Sequence, residues 1–295
     1  MSTSTVVVHG AAGVQGGAVV RRLLAAGHRV RAVVRRSTSA SHPQATPVVA
    51  DLLDTEALVG AYLGADAVVV QLPLVFAADI AVPQARAVLE ALRKAAVPRA
   101  VFNTGGPIAP EPVGVPFVDA RVVLAAGLAD AVPSASVVSP ASTYLENLVA
   151  PWSRPLVWDG QLAYPLPANL PNPWLALDDL GAAIVDLLAA QAPPPLEVVA
   201  GPQALTGDEA AAELSLALER PVRWRTIEPA EYERMLAPHL GPETAAGIAA
   251  AYLPKPPGTP PAPAPEPAVL RTGTTTMRDW AARQSWSAAA QRDAS

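Results

Sequence analysis

The chain contains no cysteine, which excludes a disulfide framework, a thiolate metal site and a cysteine nucleophile. Its four histidines, His9, His28, His42 and His239, are too scattered to form a local ligand motif, so no metal site is expected. Lysine is nearly absent: Lys94 and Lys255 are the only two. Tyr62, Tyr144, Tyr164, Tyr232 and Tyr252 are followed four places on by Asp66, Leu148, Ala168, Leu236 and Pro256. No Tyr-x-x-x-Lys pair therefore exists, and with it goes the usual device by which a lysine lowers a tyrosine pKa for proton transfer in alcohol dehydrogenation. Long apolar runs are also missing. Charge interrupts the candidates, as in AVVRRLLAAG and AAIVDLLAA, so none reaches the roughly 18 residues of a membrane span. The opening MSTSTVVVHG lacks a basic flank, an apolar core and a small-residue cleavage site. A cytoplasmic location is the resulting expectation. Positive charge is not in excess either, since the net charge is -5, which argues against nucleic acid and anionic membrane as partners.

What is present is apolar. With 51% hydrophobic residues in a chain of 295, a substantial core is expected, and the length suits one cofactor domain with a smaller satellite. From Thr5 to about Pro140, short β-branched runs (TVVVH, RVRAVV, TPVVA, DAVVVQ, RAVFNT, SASVVS) alternate with helical stretches (VQGGAVVRRLLAAG, DTEALVGAYLG, DIAVPQARAVLEALRKAA, PFVDARVVLAAGLAD). This alternation predicts parallel βαβ units, with Pro83 in the first turn of its helix or kinking it. Right-handed crossovers would put a ligand at the carboxyl ends of the strands. After Pro140 the rhythm loosens around Trp152, Trp158 and Trp174. It resumes with DDLGAAIVDLLAA as helix, LEVVA as strand, TGDEAAAELSLALER as a capped helix and PVRWRTIEP as strand. The expected organisation is a nucleotide-binding domain over 1–140, with 174–201 returning to it, and a smaller α+β substrate lobe over 141–253. A proline-rich segment follows over 254–268, either a plain tether or a polyproline ligand for a partner. Residues 269–295 are read as a terminal helix anchored by Trp280 with a frayed end.

Chemistry enters at the end of the first strand. GAAGVQGG places Gly10, Gly13 and Gly16 at GxxGxxG spacing, with a helix opening at Val14. Gly10 permits a tight turn, Gly13 lets backbone approach a pyrophosphate, and Gly16 lets the helix pack against the strand. Ala12, Val14 and Gln15 complete the loop, whose helix N-terminus offers amide donors and partial positive charge to a phosphate. The strand before and the helix after supply the context a dinucleotide motif requires. An NAD site would place an acid about 20 residues further on. Here RVRAVVRRST puts Arg35 and Arg36 there, and the next acid is Asp51, followed by Leu52. A guanidinium can fork onto a 2′-phosphate and stack on adenine, so NADP(H) is preferred to NAD(H). The alternative is a solvated charge pair closing a strand.

VVVHGAAGVQGGAVVRRLLAAGHRVRAVVRR resembles the opening of NmrA-like proteins, a branch of the atypical short-chain dehydrogenase/reductase group, in its QGG and VRAxxR. The resemblance runs on through VVADLLDTEALVGAYLGADAVVV, VFNTGGP, SPASTYLENL, DDLGAAIVDLL and PVRWRTIEPAEYE. It implies a doubly wound parallel Rossmann sheet with a smaller C-terminal α+β lobe. It further implies that Gln71, Leu72 and Pro73 lie beside the ribose and nicotinamide, that Asn103, Thr104 and Gly105 border the cofactor, and that Pro140 to Tyr144 reach its nicotinamide end. Two departures stand out. His9 replaces a small hydroxyl residue and is either a packed strand residue or a group that alters phosphate-side bonding or local pH dependence. Arg121 occupies the lysine position of an F-x-x-x-K helix, where it could hold a phosphate or carbonyl but not donate a proton usefully near neutral pH. Arg121 and Tyr144 are thus the catalytic candidates, and Arg121 a cofactor contact as well.

Two functions remain open on this reading. One is an NADPH-dependent reductase whose small-molecule acceptor, a quinone or similar conjugated compound, takes hydride directly and leaves a phenolate-like anion that needs no strong protein acid. Tyr144 and Asn147 would orient the acceptor, and Trp152 or Trp158 would wall the pocket or simply pack in the core. The other, implied by regulatory members of the family, is a non-catalytic NADP(H) redox sensor that acts through a protein partner.

Overall fold

A computed structural model describes residues 3–36, 42–254 and 269–286. In chain order the elements begin β1 (Thr5–Val8), α1 (Val14–Ala25), β2 (Arg29–Val34), β3 (Thr46–Val49), α2 (Thr55–Tyr62), β4 (Ala67–Gln71), α3 (Ala78–Lys94), β5 (Arg99–Asn103), α4 (Pro116–Ala131) and β6 (Ser134–Pro140). A 3₁₀ turn at Leu145–Val149 leads to α5 (Arg154–Trp158), β7 (Gln161–Tyr164), β8 (Asn172–Pro173), α6 (Leu177–Ala189), β9 (Leu196–Ala200), β10 (Ala204–Leu205) and α7 (Gly207–Leu218). Then come β11 (Arg223–Thr226), α8 (Pro229–Leu240), α9 (Pro242–Ala250), β12 (Val269–Thr272) and α10 (Met277–Ala282). The expected tether beyond Pro254 and the frayed end from residue 287 lie outside the described residues.

Eight strands form one sheet in the order β12-β9-β6-β5-β4-β1-β2-β3, parallel from β3 to β9. A parallel strand covered on both faces must be apolar throughout. The TVVV of β1 meets that demand, with all four residues buried. β1 pairs with β2 on one side and β4 on the other, so strand order reverses there and the carboxyl ends of β1 and β4 flank the topological switch point. The outer edge is β3, where Pro47 is tolerated because an edge strand can lack one amide donor. Leu58 and Tyr62 of α2, Leu92 of α3 and Leu124 and Leu128 of α4 pack with Phe102 and Val70 in one core cluster. Truncating any of these leucines to alanine would cost about 2–5 kcal/mol. α1 packs instead on α6. The architecture is therefore α/β, a doubly wound parallel sheet with a smaller α+β lobe.

The chain divides into two compact units. One holds residues up to Ala141, Leu177–Val199 and the β12 residues up to Arg271; the other holds Ser142–Ala176, the described residues from Ala200 to Pro254, and those from Thr272 onward. In the second unit β7 pairs parallel with β11 and β8 antiparallel with β10, around a core that includes Tyr164, Trp174, Leu214, Tyr232 and Trp280. Helix α7 starts on a reciprocal capping box between Thr206 and Glu209.

The structure decides one alternative of the sequence reading and departs from that reading in one place. Pro83 lies inside α3, in its second turn, which leaves the kink of the two alternatives. VLRT, read as part of the terminal helical region, is strand β12, held at the sheet edge by Arg271, which pairs with Glu197 at 2.5 Å and Asp186 at 2.7 Å. Its four residues are too few for a period of two to register against the proline-rich run before them.

Candidate functional site

The glycine-rich turn is built from its own backbone. Gly10 takes φ +61°, a conformation that L side chains rarely adopt. The Gly13 amide donates to the Gly10 carbonyl at 2.8 Å. A Cβ at Gly16 would stand 2.1 Å from that carbonyl oxygen, whereas one at Gly13 would meet it at 3.2 Å. The glycine at 16 is therefore required by the turn it closes, a more local reason than packing against the strand. Helix α1 starts with Gly13 as N-cap, without a side-chain cap and without an acid in its first turn. Gly10, Ala12, Gly13 and Val14 are exposed. The first-turn amides thus present partial positive charge at the surface beside β1.

The neighbouring strand ends add a second group. Gln71 and Asn103 are register partners at the ends of β4 and β5. The Gln71 side-chain oxygen lies 3.6 Å from where a Cβ on Gly10 would sit. Asn103, buried to 1% exposure, donates to Gln15 Oε1 at 3.1 Å and accepts from the Gly105 amide at 3.0 Å. It thereby ties α1 to the loop after β5. Gly105, at φ +71°, leaves space into which Gln15 and Arg121 both come, each with an atom 3.4 Å from the position a Cβ would take. The fold thus brings Gln15, Asn103, Gly105 and Arg121 together and sets Gln71 over the glycine turn. Leu72 belongs to the core, and Pro73 is exposed. Thr104 is buried, with its hydroxyl donating toward the Gly106 carbonyl at 2.6 Å and lying 3.3 Å from that of Val138, so it shapes the loop. Pro140 is buried at the end of β6.

At the other end, Arg35 and Arg36 are exposed just past β2. Val34 and Val49 are register partners, so Arg35 and Asp51 follow neighbouring strand ends. Asp51 is exposed and accepts from the Leu53 amide at 2.8 Å in a tight Asx turn, while Leu52 packs partly on the core.

Sequence reasoning passed over two groupings. Tyr62, at the end of α2, hydrogen-bonds His9 Nε2 at 2.6 Å, and both rings are buried and stacked. Burial removes the water that would stabilise an imidazolium and lowers the His9 pKa to about 4, opposed only by the Gln71 backbone. Burial likewise pushes the Tyr62 hydroxyl above its ordinary range. His9 is thus packed in the core just past β1. The second grouping is aromatic. Phe76, in the loop after β4, meets Phe117 of α4 edge-on at 4.9 Å, and the Arg121 guanidinium lies 4.9 Å from the Phe117 ring centre. One sequence signal was available: the chain has only three phenylalanines, and two of them follow the QLP and TGG strand ends.

The remaining candidates belong to the second unit. Tyr144 is buried and its backbone bridges to Leu175. Asn147 donates to Thr143 Oγ1 at 2.7 Å and Tyr164 Oη at 3.3 Å, and Tyr164 in turn meets Tyr252 at 3.1 Å. Burial, reinforced by the neighbouring Tyr164, raises the pKa of Tyr232 and Tyr252. Trp152 lies 5.8 Å from the His239 ring, and Arg220 lies 4.5 Å over the Trp158 ring. Trp152 packs partly on the core of this unit, whereas Trp158 is exposed. Among the described residues, no three His, Asp or Glu side chains are grouped to hold a metal ion, and no helix is long and apolar enough to cross a membrane.

The fold is similar to that of known proteins. No curated protein matches in sequence. Among solved structures, a triphenylmethane reductase of Citrobacter sp. complexed with NADP(H) is similar at 20% identity over 84% of this chain and 88% of that one, with a TM-score of 0.67. The NADPH-dependent quinone oxidoreductase of Escherichia coli, complexed with NADPH, is similar at 21% identity over 84% and 87%, TM-score 0.65. NmrA, a negative transcriptional regulator in complex with NADP, is similar at 19% identity over 96% and 95%, TM-score 0.67. At such identities these likenesses describe the fold. The model of the NmrA-like family matches residues 2–252, and the chain belongs to that family.

Proposed function

We propose that the protein binds NADP(H) along the carboxyl edge of its sheet and transfers hydride from NADPH to a quinone-like or other conjugated small molecule. The observation that carries the reading is the uncapped, acid-free start of α1, held against a turn so close that no Cβ fits at Gly16. That cradle suits a pyrophosphate. The three similar structures complexed with NADP or NADPH support it. In this reading the Val14, Gln15 and Gly16 amides hold the pyrophosphate, and Arg35 and Arg36 take the 2′-phosphate with Asp51 and Leu52 beside the adenine. Gln71, Asn103 and Gly105 hold the ribose and nicotinamide end, with Arg121 beside them.

The reduced nicotinamide supplies a hydride, two electrons with one proton. The chain's own contribution is orientation, because Phe117 and Arg121 offer no useful acid where an alcohol dehydrogenase would need one. A conjugated acceptor needs none: its oxygen takes the electron pair and collects a proton from water.

Calorimetry with NADPH and NADH, followed by absorbance at the reduced-nicotinamide band with a panel of quinones, tests both parts. Tight NADPH binding with acceptor-dependent oxidation is the expected result. NADPH binding without oxidation of any acceptor would replace the reductase with a redox sensor that acts on a protein partner. No binding to either nucleotide would overturn the cofactor assignment.

A further inference from the structure

Arg121 is placed by two constraints at once. Its guanidinium lies over Phe117, which is braced by Phe76. On its other side it reaches to 3.4 Å of the position that a Cβ would occupy at Gly105 and to 3.9 Å of that position at Gly106. The two glycines make room for it, and the ring plane orients it. Phe76, Phe117 and Arg121 all remain half-exposed, so the group is a surface feature of the loop after β4 and the first turns of α4. Asp119, the acid nearest on the helix, accepts from the Val113 and Gly114 amides at 2.7 and 3.2 Å.

From this geometry we infer that Phe76, Phe117 and Arg121 form a receptor for the oxygen of a planar conjugated carbonyl acceptor, which selects neutral or anionic acceptors and rejects cationic ones. The inference rests on the hydride-transfer reading for its chemistry. Hydride arrives at a ring or alkene carbon of the acceptor and forms a C–H bond. The conjugated π pair shifts to the carbonyl oxygen, which becomes a phenolate or enolate, and that oxygen later takes its proton from water. The acceptor is reduced by two electrons and NADPH is oxidised to NADP⁺. A fixed guanidinium meets the charge where it develops. The flat aromatic pair supplies apolar contact for the ring. A triphenylmethane dye is a cation whose charge disappears on reduction, so Arg121 opposes its binding and offers nothing to its product.

The probe is 4-nitrophenol, whose phenolate absorbs separately from the phenol, titrated with the full chain in the presence and absence of saturating NADP⁺. The bound probe is expected to ionise about one pH unit below the free probe, a tenfold preference for the anion. Arg121→Gln should abolish that shift, Arg121→Lys should keep part of it, and Phe76→Leu should weaken binding while leaving most of the shift, because Arg121 stacks on Phe117. Circular dichroism identifies any variant that fails to fold, and the Arg121→Lys and Phe76→Leu variants then carry the test. In turnover, Arg121→Gln should lower kcat/KM for a neutral quinone by about 100-fold, the scale of losing one preorganised donor to an oxyanion, and raise it for a triphenylmethane dye. Probe bound as the neutral phenol, unbound probe, or an unchanged shift in Arg121→Gln overturns the receptor. Lack of NADPH binding or of any turnover overturns only the hydride-transfer reading, since the phenolate shift is read without either.

Discussion

Two adjacent glycines in α1 should respond in opposite directions to the same substitution. A Cβ added at Gly16 would lie 2.1 Å from the Gly10 oxygen, 2.5 Å from its carbonyl carbon and 2.9 Å from the Ala11 nitrogen. All three are backbone atoms, so no rotamer change relieves the contact, and the turn or the helix must move by about 1 Å to restore ordinary packing. Overpacking of this kind costs about 1–3 kcal/mol, against which the helix preference of alanine over glycine offsets about 1 kcal/mol. At Gly17 the nearest atom would be the Ala11 oxygen at 3.6 Å, an ordinary contact, so Gly17→Ala should stabilise by about 0.5–1 kcal/mol. All six tryptophans belong to the second unit, so their emission is an internal control. The readout for the first unit is hydrogen exchange of the β1 and α1 amides by mass spectrometry. Gly16→Ala should exchange faster there and weaken NADPH binding at least about tenfold, because the displaced Gly10 carbonyl carries the α1 N-terminus with it; Gly17→Ala should exchange more slowly with its affinity unchanged. Equal behaviour of the two variants would refute the argument that backbone proximity, rather than helix propensity, sets the residue at 16.

Arg35→Ala should reduce NADPH affinity by about ten- to a hundredfold, the scale of a charge-assisted hydrogen bond, while NADH affinity, measured in the same calorimeter, stays the same. His9 carries a pH signature. Its folded pKa of about 4 lies below the unfolded 6.5, so its contribution is fully present above pH 6.5 and is lost as pH falls toward 4, with a total of about 3 kcal/mol. Hydrogen exchange of β1 measured between pH 6.5 and 5 and corrected for intrinsic rates should show this slope, and His9→Gln should flatten it. Tyr164→Phe removes the hydroxyl that meets Thr143, Asn147 and Tyr252. It should destabilise the second unit by about 1–3 kcal/mol, read as an earlier tryptophan transition in urea with β1 exchange unaltered.

The alternation of β-branched runs with Ala- and Leu-rich stretches was enough to read the strands β1 to β6 and the helices between them. A buried parallel strand and an amphipathic helix each impress a period on their own residues. GxxGxxG was legible for the same reason, since turn, cap and helix start are consecutive. The second unit was harder. Its strands β7, β8 and β10 are two to four residues long, and their partners are distant in sequence, so no local period announces them.

What the sequence by itself determined was the alternation of strands and helices up to Pro140, the position of the glycine turn at its first strand and the absence of a Tyr-x-x-x-Lys pair. All of these follow from contiguous residues or from simple counting. The tertiary structure alone decided the pairing of His9 with Tyr62, 53 residues apart, the bridge from Asn103 to Gln15, 88 apart, and the meeting of Phe76 with Phe117. These contacts depend on which strand ends the sheet order makes neighbours. That order is the outcome of burying every helix face at once, a property that no single segment carries.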